Sequence, residues 1–315
     1  MNTALITGGS GYLGSHLAKK LFLSGWQVVI FDIKKPSHSY LHKFYMGDIR
    51  NKFSLCEVLS KQRFDVIYHF AGLIEVGESM NNPTEYWDVN VGGTVSLLSC
   101  MKRFNQNRII FSSTAGLYVS GNIPIVERET TTNNSVYANT KNVCERAIED
   151  SGFEYVIFRY FNIAGADHDC ELGENHKPET HLIPSIFNNL DNFSIYGDDY
   201  NTPDGTCIRD YVHVSDVVDA HISSYEYLKE GNESIIMNLG TGKGNSILEI
   251  IDIIKEILCV EVHYTYRDRR SGDPDSLVAN IDLAKEIIKY EPKYDIRAII
   301  ETAYAWHKKQ TSRIE

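Results

Sequence analysis

Five short apolar runs punctuate the first half of the chain: Ala4-Leu5-Ile6, Val28-Val29-Ile30-Phe31, Val66-Ile67-Tyr68, Ile109-Ile110-Phe111 and Tyr155-Val156-Ile157-Phe158. Between them lie stretches of helical period near Tyr12–Ser24, Ser54–Gln62, Thr84–Phe104 and Val136–Asp150. A strand that is apolar on both faces must be covered on both faces, and intervening helices supply that cover. The pattern therefore predicts an α/β fold with a doubly wound parallel sheet of Rossmann type, whose ligands sit beyond the carboxyl ends of the strands. After Asn162 the rhythm breaks. Residues 166–181 read as a long polar loop. Short strands (Ser194–Tyr196, Ile235–Leu239, Glu261–Tyr266) and helices near Ser215–Lys229, Ser246–Leu258 and Ile296–Lys308 follow. The expected division is a Rossmann domain over residues 1–165 and a smaller α/β lobe over 166–315, with a strand or two returning to the main sheet.

Composition narrows the partners. A formal charge of −11 repels polyanions, so neither nucleic acid nor an anionic membrane is an expected partner, although a few local arginines can still hold a small anion. No apolar stretch approaches the length that spans a bilayer. The six cysteines lie far apart without a C-x-x-C pair, which fits neither a disulfide framework nor a zinc site, and no metal is expected. Reduced thiols and a chain that runs at once into the strand Thr3–Thr7 point to the cytoplasm.

Gly8-Gly9-Ser10-Gly11-Tyr12-Leu13-Gly14 joins the first strand to the first helix. Gly8 permits a tight turn, Gly11 lets a pyrophosphate approach the backbone, and Gly14 lets helix and strand pack closely. The helix N-terminus then faces the phosphates. Asp32 ends the second strand about 20 residues on, where a carboxylate accepts from ribose hydroxyls and repels a 2′-phosphate. NAD is thus the expected cofactor, with Lys34 and Lys35 tempering the preference over NADP. A glycine turn beside a solvated aspartate is the plain alternative; strand, turn, helix, strand and acid in that order argue against it. Asp48, within Gly47-Asp48-Ile49-Arg50, is read as an adenine contact or an ordinary turn aspartate.

Tyr137-Ala138-Asn139-Thr140-Lys141 sets a tyrosine and a lysine on one helical face. A free phenol is a poor base at neutral pH. A nearby ammonium and the positive nicotinamide of NAD⁺ favour the phenolate, which can then take a proton from a sugar hydroxyl as hydride leaves the same carbon. Ser112-Ser113-Thr114 ends the fourth long strand at the same carboxyl edge, and the Thr114 hydroxyl can relay that proton.

At these residues the chain resembles the extended short-chain dehydrogenase/reductase family, and within it the UDP-glucose 4-epimerase group. The resemblance runs nearly end to end through Thr7–Gly14, Gly47–Arg50, His69-Phe70-Ala71-Gly72-Leu73, Val76-Gly77-Glu78-Ser79, Ser112–Tyr118, Arg159-Tyr160-Phe161-Asn162, Gly205–Val214, Gly240–Ser246 and Arg269-Arg270-Ser271-Gly272-Asp273. It implies Tyr137 as base, Lys141 on the nicotinamide ribose and Thr114 at the reacting oxygen. It implies cofactor contacts from Tyr12, Leu13, Ile49, Phe70, Ala71, Gly72, Asn90, Ser112 and Phe161. A UDP-sugar would be held by Asn162, His181, Leu182, Tyr196, Arg209, Tyr211, Arg270 and Asp273, with Leu277 at the position that gates the C2 substituent. Ile74 stands where the family has a loop lysine, and His181 where better-known members have asparagine. Leu277 is neither the large ring that crowds out an N-acetyl group nor a small side chain, so plain and N-acetylated hexoses both stay open, with a lean towards N-acetyl tolerance.

The implied reaction is reversible 4-epimerisation through a transient 4-keto sugar with tightly held NAD. Ala115 and Gly116 follow Thr114 where dehydratases and decarboxylases carry acids, which disfavours both. UDP-glucuronate epimerisation, net oxidoreduction of a nucleotide sugar and a non-enzymatic NAD sensor are the rivals. The resemblance further implies a homodimer through the helices Thr84–Phe104 and Val136–Asp150.

Overall fold

The computed structural model describes residues 1–37, 43–118, 124–131, 135–176, 178–270 and 272–312. Ser271, part of one motif quoted above, and residue 177 of the polar loop lie outside them. In chain order the strands are β1 (Thr3–Thr7), β2 (Gln27–Asp32), β3 (Lys43–Met46), β4 (Val66–His69), β5 (Arg108–Thr114), β6 (Glu154–Tyr160), β7 (Asn162–Ala164), β8 (Phe193–Tyr196), β9 (Ile208–His213), β10 (Ile235–Leu239), β11 (Gly244–Ser246), β12 (Tyr264–Arg267) and β13 (Ser276–Leu277).

Seven of them form one sheet in the order β10-β6-β5-β4-β1-β2-β3. The pairs from β3 through β5 are parallel, with Ile6 opposite Ile30 and Tyr68, and Tyr68 opposite Ile110. Both faces are covered, as the apolar runs require. On one side Leu5, Val29, Phe31, Ile67, Ile109 and Phe111 meet Leu55 and Val58 of the helix Lys52–Lys61 and Leu97 and Met101 of the helix Gly93–Arg103. The doubly wound expectation holds, and the Ile235–Leu239 strand does join the main sheet. β3 was absent from the apolar runs, because Lys-Phe-Tyr-Met is a half-exposed edge strand.

The chain divides into two compact units. One comprises Met1–Leu117, Thr131–Arg159 and Val218–Met237; the other comprises Tyr118–Thr130, Tyr160–Val217 and Asn238–Glu315. The second unit is built on β9, which pairs with β11 antiparallel and with β7 and β13 parallel. Its core gathers Ile183, Ile186, Ile195, Ile250, Ile251, Ile254, Ile299 and Ile300. β9 carries the sequence Ile-Arg-Asp-Tyr-Val-His and shows no apolar run, so sequence pattern passes over it. Burial of its polar residues is made possible by distant partners: Asp210 accepts from the Thr241, Gly242 and Ala279 amides at 2.7, 2.9 and 3.1 Å. Burial still pushes the Asp210 carboxyl pKa up, and those bonds oppose the rise.

The helix expected over Thr84–Phe104 is interrupted. It runs as Pro83–Tyr86, a wider π-helical turn Trp87–Gly92, and then Gly93–Arg103. In that turn the Asn90 carbonyl accepts from the Thr94 hydroxyl at 2.6 Å and the Cys144 thiol at 3.2 Å. π-turns concentrate at functional sites, and this one presents Asn90.

Candidate active site

The glycine turn has the shape a dinucleotide needs. Gly8 sits at φ +73°, and a Cβ there would lie 2.6 Å from the Ala71 nitrogen. A Cβ on Gly14 would lie 2.3 Å from the Gly8 carbonyl oxygen. At Gly11 the nearest atom is Gly8 O at 3.3 Å, so this glycine keeps open the side from which a phosphate arrives. Gly11 caps the helix Tyr12–Leu23 without a side-chain bond, leaving the first-turn amides of Tyr12, Leu13 and Gly14 without a side-chain acceptor from the cap residue. Asp32 is aimed by the Ser10 and Lys34 amides, at 2.9 and 2.8 Å. The turn, the helix end and the carboxylate fit a dinucleotide.

Phe70 N donates to Thr7 O at 3.0 Å, and Phe70–Ala71 passes directly over Gly8. Ile49 is buried against Gly93, so what it offers a cofactor is its main chain. Asp48 is committed elsewhere: both carboxylate oxygens accept from Arg50, the closest at 2.6 Å, and this bond holds its pKa below the usual carboxylate range. Arg50 also reaches Glu85 and Asp88. The geometry favours the turn-forming reading of Asp48 over adenine recognition by its side chain. Asn90 likewise spends its amide inside the protein. Its oxygen accepts from Leu73 N at 2.8 Å, and its nitrogen donates to Leu73 O and to the Thr140 hydroxyl at 3.1 and 3.0 Å. It ties the loop after β4 to the helix that carries the reactive pair.

That helix, Val136–Glu149, starts at Ser135, whose hydroxyl accepts from Ala138 N at 3.1 Å. Tyr137 N donates to the Ser79 hydroxyl at 3.1 Å, so two elements fix where the phenol begins. Thr114 ends β5, its hydroxyl accepting from Gly116 N at 3.0 Å and close enough to the Tyr137 phenol to favour its anion. Lys141 Nζ donates to Ser112 O at 2.7 Å and lies 6.0 Å from the Tyr137 ring centre. Burial lowers the Lys141 pKa to about 8. Burial raises that of Tyr137 to about 12, opposed by the Thr114 hydroxyl and reinforced by Glu75 and Cys144. In the protein alone desolvation wins and the phenol stays protonated; the expected favouring of the phenolate belongs to the site with the positive nicotinamide in place. Burial, together with the Lys141 charge, keeps His69 neutral with a pKa of about 3. His69 is a structural histidine between Thr7 and Thr94, at 2.7 and 3.0 Å.

A buried network stands behind this set. Arg159 donates to both oxygens of Glu145, at 3.0 and 2.7 Å, and the Ser113 hydroxyl donates to the same carboxylate. Sequence reasoning singled out none of Ser79, Glu145 or Thr140, although Glu145 lies one turn beyond Lys141 and Ser79 within a quoted motif.

In the second unit, Arg209 donates to Asp273 at 2.7 Å and to the Ile208 and Pro274 carbonyls at 2.8 and 2.9 Å. Leu277 pairs with Arg209 across β13 and β9 and is buried. The Arg270 guanidinium lies 4.3 Å over the ring of Tyr196, which is itself exposed. Tyr211 stands opposite Asn162 in the β7–β9 register, and burial raises its pKa above the ordinary phenol value. Phe161 is buried and stacks with Tyr118. Leu182 packs on the second core. Arg209, Asp273 and Leu277 are thus brought together, as are Arg270 with Tyr196 and Tyr211 with Asn162. His181 is not among them; its Nδ1 faces Glu174.

Residues 4–240 match the model of the NAD dependent epimerase/dehydratase family. The chain belongs to that family. This epimerase/dehydratase-family protein is 41% identical over 321 residues to a UDP-glucose 4-epimerase of Rhizobium meliloti, with 98% of each chain covered. Its structure is similar to that of UDP-glucose 4-epimerase from Brucella ovis in complex with NAD, at 41% identity and TM-score 0.92, covering 97% and 98% of the two chains. It is also similar to a UDP-glucose-4-epimerase from Stenotrophomonas maltophila with bound NAD and formylated UDP-arabinopyranose, at 32% identity and TM-score 0.95, covering 99% and 100%.

Proposed function

We propose that the protein catalyses reversible 4-epimerisation of a UDP-hexose with tightly held NAD, and that Tyr137, Thr114 and Lys141 carry the chemistry. One observation supports this above the others. A phenol, a hydroxyl beside it and a buried amine on Ser112 O stand at the carboxyl end of β5 and the start of the next helix, with no acid at Ala115 or Gly116. When bound, NAD supplies the hydride sink for C4 of the sugar and the positive charge that brings the buried phenol towards its anion. Tyr137 then accepts the 4-hydroxyl proton and later returns it. Thr114 favours the phenolate and hydrogen-bonds the reacting oxygen. Lys141 is held by Ser112 O at the depth of a ribose. Inverting C4 requires the keto sugar to turn over between the two transfers, so binding energy belongs on the nucleotide.

Arginine suits that task because its planar fork pairs with phosphate oxygens. Arg209, already oriented by Asp273, and Arg270, resting on Tyr196, are assigned to the UDP half, with Asn162 and Tyr211 beside them. Leu277, neither a large ring nor a small side chain, is assigned the gate at C2, and the proposed substrates are UDP-glucose/UDP-galactose and their N-acetylated counterparts. Val95 and Val143, 44% and 36% exposed, lie on the helices Gly93–Arg103 and Val136–Glu149, which supports a homodimer formed through them. No described helix is long and apolar enough to cross a membrane, and a cytoplasmic setting is proposed.

The test is incubation of purified protein with UDP-glucose, UDP-GlcNAc and UDP-glucuronate in turn, with products resolved by proton NMR. The reading expects C4 epimers from the first two without added cofactor and without net absorbance change at the nicotinamide band. Turnover that demands stoichiometric external NAD would overturn it.

A further inference from the structure

The loop before the helix Leu182–Asn188 contains two Glu-x-His steps, Glu174-Asn175-His176 and Glu179-Thr180-His181. They fold back on each other. One donor atom from each of Glu174, His176, Glu179 and His181 lies within 4.8 Å of all the others. His176 Nδ1 is 3.3 Å from Glu174 Oε1 and 4.0 Å from Glu179 Oε1, and His181 Nδ1 meets the same Glu174 oxygen. Ligands about 2.0–2.1 Å from a tetrahedral zinc ion are about 3.3 Å from each other. The His176–Glu174 spacing is already there, the closer His181–Glu174 contact must open to admit an ion, and the widest spacing the cluster allows needs a contraction of roughly 1.5 Å to reach that value.

We propose that Glu174, His176, Glu179 and His181 form a structural divalent-cation site of the zinc class, which pins this loop.

Three features argue for a cation rather than a hydrogen-bonded cluster. Both imidazole Nδ1 atoms turn towards the same carboxylate oxygen, so two nitrogen donors and the carboxylate face one centre. The carboxylate of Glu179 is oriented from outside the cluster's centre, its oxygens accepting from His181 N at 2.9 Å and His176 N at 3.4 Å. Such outer bonds are how ligating groups are held in place. Glu174 is anchored as well: its side chain is 7% exposed, its carbonyl accepts from Trp306 Nε1 at 3.2 Å, and Gly173 lies flat against that indole. Two nitrogen donors disfavour Mg²⁺ and Ca²⁺, which take oxygen, and two carboxylates cancel the charge of one dication. Asp167, Asp169 and Glu171 also cluster, but they offer oxygen alone and carry no proposal. The site departs from the expectation of no metal, which rested on cysteine spacing.

The test reads metal and not turnover, so it stands apart from the epimerase reading. Chelator-treated full-length protein, cofactor retained, is titrated with Zn²⁺ by calorimetry, and with Co²⁺ by visible absorption. One equivalent of Zn²⁺ and a tetrahedral Co²⁺ spectrum are expected. E174Q and H176A should each weaken binding by more than about 100-fold, since loss of a mere outer partner already costs 10–100-fold. D169N should leave it unchanged. No saturable binding in the unmutated protein, an octahedral Co²⁺ spectrum, or equal affinity in E174Q, H176A and the parent would overturn the proposal. The wild-type spectrum keeps the test decisive even if a variant misfolds.

Discussion

Replacing Thr114 with valine removes one hydroxyl from the end of β5 and keeps side-chain volume and β-branching. In the structure that hydroxyl accepts from Gly116 N at 3.0 Å and lies beside the Tyr137 phenol, placed to hydrogen-bond the phenolate and lower its pKa. A hydrogen bond to an ionising group is worth about 1.5–3 kcal/mol, and one pKa unit corresponds to about 1.4 kcal/mol. Tyr137 should therefore rise by roughly 1–2 units. The base acts only when deprotonated, so raising its pKa moves the ascending limb of the pH–rate profile to higher pH. At a fixed pH below that limb turnover falls about 10–100-fold, and the deficit shrinks as pH rises. The exposed Gly116 amide can turn to water, so stability in urea melts should change little. The assay is the initial rate of UDP-galactose conversion across pH for wild type, T114V and T114S. T114S should track wild type. An unshifted T114V limb, or one displaced to lower pH, would refute the role given to the Thr114 hydroxyl.

Tyr137→Phe should abolish turnover while the purified protein keeps its NAD, checked by cofactor release on denaturation; retained activity contradicts the base assignment. G14A places a methyl 2.3 Å from Gly8 O, so the turn must open and cofactor should be lost on gel filtration, with a stability loss of about 1–3 kcal/mol. R159M leaves Glu145, 2% exposed, without either guanidinium bond, and should cost about 3–5 kcal/mol in denaturant unfolding. The double variant R159M/E145M should recover much of that loss. L277Y should abolish conversion of UDP-GlcNAc and spare UDP-glucose; equal survival of both sinks the gate argument.

What sequence could reveal follows from how far apart the interacting residues lie. The glycine turn, Asp32 and the Tyr137–Lys141 pair each belong to one strand-turn-helix unit or one helical turn, and their spacing alone fixes their relation. Thr114 was legible because a polar triplet ending an apolar strand marks its carboxyl edge. β9 was not legible, because Arg209 needs Asp273, 64 residues on, and Asp210 needs Thr241, 31 residues on. Sequence placed Asn90 beside the cofactor, but its bonds to Leu73 and Thr140 require the fold. The surroundings of the phenol were hidden for a similar reason. Helical spacing puts Lys141 on the same face as Tyr137, but not its Nζ on Ser112 O nor the depth of burial that raises the phenol.

The account depends on hydride leaving and returning to the same carbon inside one protein molecule. UDP-glucose deuterated at C4 tests this directly, with the product examined by NMR in the presence of excess unlabelled NAD. The account predicts UDP-galactose with full deuterium at C4 and none in the free cofactor. Deuterium lost to solvent or to the NAD pool, or a product whose C4 configuration is unchanged, would contradict it.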